Sequence, residues 1–276
     1  MKIAVLSGKG GTGKTTVSTN IALNLRISYV DSDVEEPNGF IFLKPEIVEK
    51  QEVRVEYPVI DPIKCTLCGE CVKACQFNAL ASTGKEILVF EKLCHDCGAC
   101  KIVCKQNALD YQPRATGQIE KGYSNGLFCQ RGILNVGEPM AVPIIRKLLQ
   151  GLDNLDCLID CPPGTSCNVV NVLKYADAAV LVTEPSQFGL HDLKMAVELV
   201  RLYHIPFGII INKDNERDNI IKQFCKEDSI PLLGCVPYRM EAATLYSNGR
   251  LLSEDTFYQS VFNEISLQMK EVFSWK

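Results

Sequence analysis

Short apolar runs alternating with helix-periodic stretches set the rhythm of the chain. Lys2 to Leu6, Ile27 to Asp31, Leu155 to Asp160, Ala178 to Thr183, Phe207 to Ile211 and Leu232 to Val236 each read as strands buried on both faces, the habit of a parallel sheet. Val17, Ile21 and Leu25 recur at helical spacing with Ala22 on the same face, and helices are predicted over 141–149, up to Tyr203, and from Thr256 to Phe273. In the last of these Val261, Ile265, Met269 and Val272 share one face without a basic opposite face, which predicts packing on the core and not on a membrane. Strands alternating with helices predict an α/β fold, a doubly wound parallel sheet with helices on both faces. The rhythm breaks between Val53 and Tyr111, and a glycine-rich stretch follows over 117–139.

Between the first strand and the first helix lies Gly8-Lys9-Gly10-Gly11-Thr12-Gly13-Lys14-Thr15, which fits Gly-x-x-x-x-Gly-Lys-[Ser/Thr]. A strand feeding such a loop into a helix N-terminus aims backbone N–H groups and a favourable dipole at a triphosphate. The segment Gly8, Gly10, Gly11, Thr12, Gly13, Lys14, Thr15 and Thr16 is therefore the predicted ATP cradle, with Lys14 neutralising the outer phosphates and Thr15 holding Mg²⁺. Two acidic strand ends, Asp31-Ser32-Asp33 and Asp160-Cys161-Pro162-Pro163-Gly164, are placed to serve magnesium or the attacking water.

Fourteen cysteines change the picture. Cys65-x2-Cys68-x2-Cys71-x3-Cys75 recurs 29 residues later as Cys94-x2-Cys97-x2-Cys100-x3-Cys104, and each run is followed by Asn-Ala-Leu. This is the bacterial two-cluster ferredoxin spacing, in which the fourth cysteine ligates the other cluster. One [4Fe-4S] cluster would take Cys65, Cys68, Cys71 and Cys104, and the second Cys94, Cys97, Cys100 and Cys75. The proline usual after each fourth cysteine is Gln76 in one run and Lys105 in the other, which leaves potential and solvent access open. Zinc is the other use of such cysteines, and eight in two runs of four argue against it. The expected organisation is a P-loop ATPase domain over 1–56 and 113–276, with a small α+β ferredoxin-like domain inserted over 57–112.

An apolar content of 46% suits a globular chain, while a net charge of −4 and a pI near 5.5 disfavour nucleic-acid binding. No run approaches the ~20 apolar residues of a membrane span, and a strand starting at Lys2 leaves no room for a leader, so a cytoplasmic protein is expected.

With Lys9 directly after its first glycine, the loop resembles that of the MinD, ParA, Mrp and nitrogenase-iron-protein superfamily. The resemblance implies a homodimer with ATP at the interface and Lys9 reaching the partner's nucleotide. It implies that Asp33, in Asp-x-Asp-x-x-x-Pro-Asn, orients the attacking water, that Asp160 contacts magnesium through water, and that the Gly164 amide reports on the γ-phosphate. Asn212 resembles the base-reading position, with Pro237 packing beside the base. Cys129 and Cys167 resemble, in placement, the cysteines that hold a cluster across the nitrogenase iron-protein dimer, and so raise a third, shared cluster as a hypothesis.

The expected activity is ATP hydrolysis, with Lys9, Lys14, Asp33 and Asp160 in the catalytic roles. Its nucleotide-driven changes would be coupled to electron transfer through the two clusters to a redox partner. The alternatives are an iron–sulfur assembly or carrier ATPase of the Mrp and Nbp35 type, which would serve an apo-protein acceptor, and a MinD-like positioning scaffold.

Overall fold

A computed structural model describes residues 1–152, 155–215 and 220–275. The chain forms two compact units, one made of 1–51, 119–133 and 145–276 and the other of 52–118 and 134–144.

In chain order the strands and helices are β1 (Lys2–Leu6), α1 (Lys14–Leu25), β2 (Ser28–Asp31), α2 (Gly39–Leu43), β3 (Glu46–Ile60), α3 (Glu70–Ala74), β4 (Leu80–Ser82), β5 (Ile87–Val89), α4 (Ala99–Val103) and β6 (Leu109–Ser124). They continue with β7 (Leu127–Leu134), α5 (Val142–Leu149), β8 (Cys157–Asp160), α6 (Cys167–Leu173), β9 (Ala178–Thr183) and α7 (Gln187–Leu202). The last are β10 (Phe207–Asp214), α8 (Ile220–Glu227), β11 (Leu232–Pro237), α9 (Met240–Ser247) and α10 (Thr256–Val272).

The main sheet has the order β11-β10-β9-β1-β8-β2-β7-β6-β3, and every pairing from β11 to β7 is parallel. The predicted parallel sheet with helices is thus present. Its register matters for the site: Val5 pairs Asp160, and Asp160 pairs Asp31, so the loop after β1 and both acidic strand ends meet at one edge. Ile3 and Val5 face a core shared with Val17 and Ile21 of α1 and with Tyr258, Phe262, Ile265 and Met269 of α10. Their neighbours Ala4 and Leu6 are equally buried and point the other way, as alternation along a strand requires. α6 packs on β1 and α7 on β9, and their buried Val169, Val172, Leu193 and Val197 lie outside that core.

The glycine-rich stretch carries two strands. β6 and β7 are joined by Asn125-Gly126, both at positive φ (49° and 80°), the conformation of a type I′ hairpin turn. Gly122 closes on Glu46 while Thr116 Oγ1 donates to the Val53 carbonyl, so β6 and β3 run antiparallel. The break in rhythm at Val53 falls inside β3, where Val53 and Val55 are buried between exposed Glu52, Arg54 and Glu56.

The second unit pairs β4 with β5 antiparallel and packs α3 against α4. Leu80, Ile87 and Leu109 form a buried cluster in it with Cys71 and Cys100.

Candidate functional site

The glycine loop leaves β1 and enters α1 through Gly13, whose φ of +83° favours glycine on backbone grounds. A Cβ there would also lie 2.0 Å from Asn212 Nδ2, and that nitrogen donates to the Thr12 carbonyl at 2.8 Å. Asn212 therefore braces the loop with its amide nitrogen. Gly8 is required by a different neighbour, since a Cβ would meet the Asp192 carbonyl at 2.3 Å. The first turn of α1 carries no acidic residue, so the positive end of its dipole is left to an anion.

The electrostatics centre on Asp160. Its Oδ1 accepts from Lys14 Nζ at 2.7 Å and its Oδ2 from the Tyr29 hydroxyl at 2.9 Å. Burial works against the Lys14 charge, but the Asp160 carboxylate outweighs it and Asp33 adds to it, so the lysine is held above its ordinary value. Asp31 lies beside this pair, accepting from the amides of Gly39 (2.9 Å) and Asp33 (3.2 Å). Burial and then the neighbouring Asp160 push its carboxyl far up. Asp33 is pushed up to about 6, by burial first, against the pull of Lys14. Three carboxyl groups thus stand around one lysine, and the negative charge that Asp160 and Asp33 carry between them leaves room for Mg²⁺ beside Thr15.

Lys9 does not stand free. Its Nζ pairs with Glu184 Oε1 at 2.6 Å, and Lys213 lies 3.6 Å from the same carboxylate while donating to the Gly11 carbonyl at 2.8 Å. The Gly164 amide donates to the Ser7 carbonyl at 2.9 Å, and Gly164 itself sits at φ +82°.

Lys9, Gly10, Gly11, Thr12, Gly13, Lys14, Thr15, Thr16, Asp33, Asn212 and Pro237 line one cleft of about 470 Å³, a size suited to a nucleotide. Gly8, Asp160 and Gly164 do not line it; Asp160 acts from beneath through Lys14. The Pro237 carbonyl is fixed by the hydroxyl of buried Tyr258 at 2.9 Å, which ties α10 to the cleft.

Sequence reasoning passed over Tyr29, Glu184, Phe42 and Tyr246. Phe42 and Tyr246 pack at 5.4 Å along the cleft wall. Tyr29 and Asp31 sit two apart on β2 and so share a face, a signal that was available. It also explains Gly39, where a Cβ would strike the Tyr29 hydroxyl at 2.1 Å.

In the second unit Cys65, Cys68, Cys71 and Cys104 line one small cavity, and Cys75, Cys94, Cys97 and Cys100 line another. Each cavity draws three cysteines from one run and one from the other. The backbone repeats with the sequence: Leu67 and Asp96, Gly69 and Gly98, and Asn78 and Asn107 all have positive φ. After each of those asparagines an alanine amide points back at the fourth cysteine, Ala79 N to Cys75 Sγ at 3.3 Å and Ala108 N to Cys104 Sγ at 3.4 Å. The Asn-Ala-Leu tripeptides thus supply an N–H to sulfur. Among the described residues no three His, Cys, Asp or Glu side chains converge closely enough to hold a single metal ion; the eight cysteines, all free thiols, ring cavities instead.

Cys129 is fully buried in the main core, its thiol pushed up to about 12 by burial, whereas Cys167 is exposed. A cluster shared by these two across a dimer has one ligand out of reach, which corrects that hypothesis. Cys157 and Cys225 are buried as expected, and Cys235 is half-buried.

The whole chain is 29% identical to a protein of Methanocaldococcus jannaschii described as uncharacterized, covering 97% of it. It is 25% identical to an iron–sulfur cluster carrier protein of Pyrococcus horikoshii over 96% of this chain and 84% of the relative. In fold it resembles the septum site-determining protein MinD of Pyrococcus horikoshii, solved with Mg-ADP, with a TM-score of 0.61 at 17% identity over 98% of this chain and 96% of that one. No described helix is long and apolar enough to cross a membrane. Residues 3–252 match the CobQ/CobB/MinD/ParA nucleotide-binding domain, and with the glycine loop and its two acidic strand ends in place the chain belongs to that family.

Proposed function

We propose that this protein is an ATP-hydrolysing iron–sulfur carrier whose cargo is held by the two cysteine quartets and whose nucleotide state governs their release to an apo-protein acceptor. The observation that carries the reading is the pairing of a nucleotide cleft with two cavities ringed by four thiols each in one chain. The similarity to an iron–sulfur cluster carrier protein supports it. The quartets fit such cargo on chemical grounds: their sulfurs are free, surround a cavity, and receive backbone N–H groups that stabilise thiolate.

Within the ATPase, Lys14 leaves Asp160 for the phosphates and Asp33 orients the attacking water. Thr15, with Asp160 acting through water, would hold a magnesium ion, which when bound would supply positive charge to the phosphoryl oxygens. Asn212 and Pro237 hold the base. Lys9 exchanges Glu184 for the nucleotide of a second copy, so that ATP closes a homodimer.

The test is transfer. Full-length protein is reconstituted anaerobically with iron and sulfide, then mixed with apo-aconitase with and without Mg-ATP. Cluster release that depends on hydrolysis, with aconitase activity appearing as iron leaves the donor, supports the carrier.

One observation favours a second reading. Each quartet is complete within one chain, and a four-thiolate cluster has no open position for hand-over. If the clusters stay bound and the ATPase rate follows their oxidation state, the protein is a redox-coupled ATPase that delivers electrons to a partner.

A further inference from the structure

The two cysteine runs repeat every 29 residues, so each position around one quartet has a counterpart around the other. Most counterparts match, but the walls do not. The second cavity is lined by Phe77 and His95, stacked at 3.9 Å, where the first has Gln106 and Thr66. The largest difference is at Tyr111. Its hydroxyl lies 3.2 Å from Cys100 Sγ, and Lys101 Nζ stands 5.3 Å from its ring. Counting back 29 residues gives Ser82 for Tyr111, Cys71 for Cys100 and Val72 for Lys101. Ser82 is exposed, and its hydroxyl is occupied in its own turn, accepting from the Gly84 amide at 3.3 Å.

We infer that Tyr111 makes the two clusters inequivalent, by donating a hydrogen bond from its hydroxyl to the Cys100 thiolate of the second cluster. The inference rests on the reading that the quartets hold iron–sulfur clusters. Once Cys100 is a thiolate it has no proton to give, so the tyrosine is the donor. A hydrogen bond to cluster sulfur favours the more negative, reduced form, and so raises the potential. The nearby Lys101 charge acts in the same sense, while the counterpart Val72 brings none. The first electron from any low-potential one-electron donor therefore comes to rest on the cluster of Cys75, Cys94, Cys97 and Cys100. Tyr111 is a positioning residue in this account and carries no electron itself.

The experiment is a redox titration of the full chain, reconstituted to eight irons and followed by electron paramagnetic resonance. Wild-type protein should reduce in two separated steps. Tyr111→Phe, at unchanged iron content, should lower the first step toward the second and leave the second in place, and Ser82→Ala should move neither. A Tyr111→Phe protein with both steps unmoved, or with both moved alike, overturns the inference. Electron–nuclear double resonance offers an independent check: beyond the amide protons that both quartets receive from Ala79 and Ala108, the cluster reduced first should lose on transfer to D₂O one further coupled proton that Tyr111→Phe protein lacks. A first-reduced cluster with no such proton overturns the inference as well. Wild-type protein that assembles no cluster removes the carrier reading itself, and this inference with it, a failure seen in the iron content before any titration.

Discussion

Lys14 and Asp160 form a 2.7 Å ion pair across 146 positions of sequence, with the lysine side chain 7% exposed and the aspartate 0%. The lysine expected to bind phosphate is thus seated on the carboxylate that ends β8. Removing one partner of a buried pair strands the other's charge, at a cost of about 3–5 kcal/mol. Lys14→Ala should therefore lower stability by that order in chemical denaturation and abolish nucleotide binding. Lys14→Met with Asp160→Asn should cost less than the sum of the two single changes.

Asp33 supplies a pH signature. Its carboxyl titrates near 6 in the folded chain against an ordinary 3.8. Between those values the folded protein holds a proton that the unfolded chain releases, so stability from protonated Asp33 is lost as pH rises through that window and stays lost above it. Asp33→Asn should remove that part of the pH dependence in urea titrations at pH 4–7. If Asp33 orients water as the carboxylate, kcat/KM for ATP should fall about tenfold per pH unit below 6 and level off above it.

In the proposed ATP-closed dimer, Glu184, which pairs with Lys9 at 2.6 Å, competes with the nucleotide for that lysine. Partly exposed ion pairs contribute only ~0.2–1 kcal/mol, so freeing the lysine should shift an equilibrium by about 1.4- to fivefold. Glu184→Gln should raise the ATP-dependent dimer fraction by that factor in analytical ultracentrifugation, and Lys9→Ala should abolish the dimer. A Glu184→Gln protein whose dimerisation matches wild type would detach the pair from assembly.

Crossed ligation makes its own forecast. Cys104 shares a cavity with Cys65, and Cys75 with Cys94. Cys65→Ala and Cys104→Ala should delete the same cluster signal, whereas Cys75→Ala should pair with Cys94→Ala. Grouping by run, with Cys75 behaving like Cys65, would reject the crossing.

The sequence by itself determined what depends on local spacing. A phosphate loop works through consecutive backbone amides at a helix start, so Gly8 to Thr16 could be read directly, and runs buried on both faces announced the parallel strands. The 29-residue cysteine repeat was equally plain, because its glycines and asparagines take the same positive φ in both copies. Only the tertiary structure decided which distant charges meet. β1 lies between β8 and β9, and that order brings Asp160 onto Lys14 and Glu184 onto Lys9. No periodicity encodes such pairs, since they are set by strand order and register. The same holds for β3, whose first six residues, Glu46 to Gln51, bury no side chain, for the hairpin hidden among glycines, and for Cys129, which became core once β7 paired with β2. The Tyr111 hydroxyl reached Cys100 for a related reason: the chain folds back from α4 along β6, and that approach, not the eleven-residue spacing, places oxygen beside sulfur.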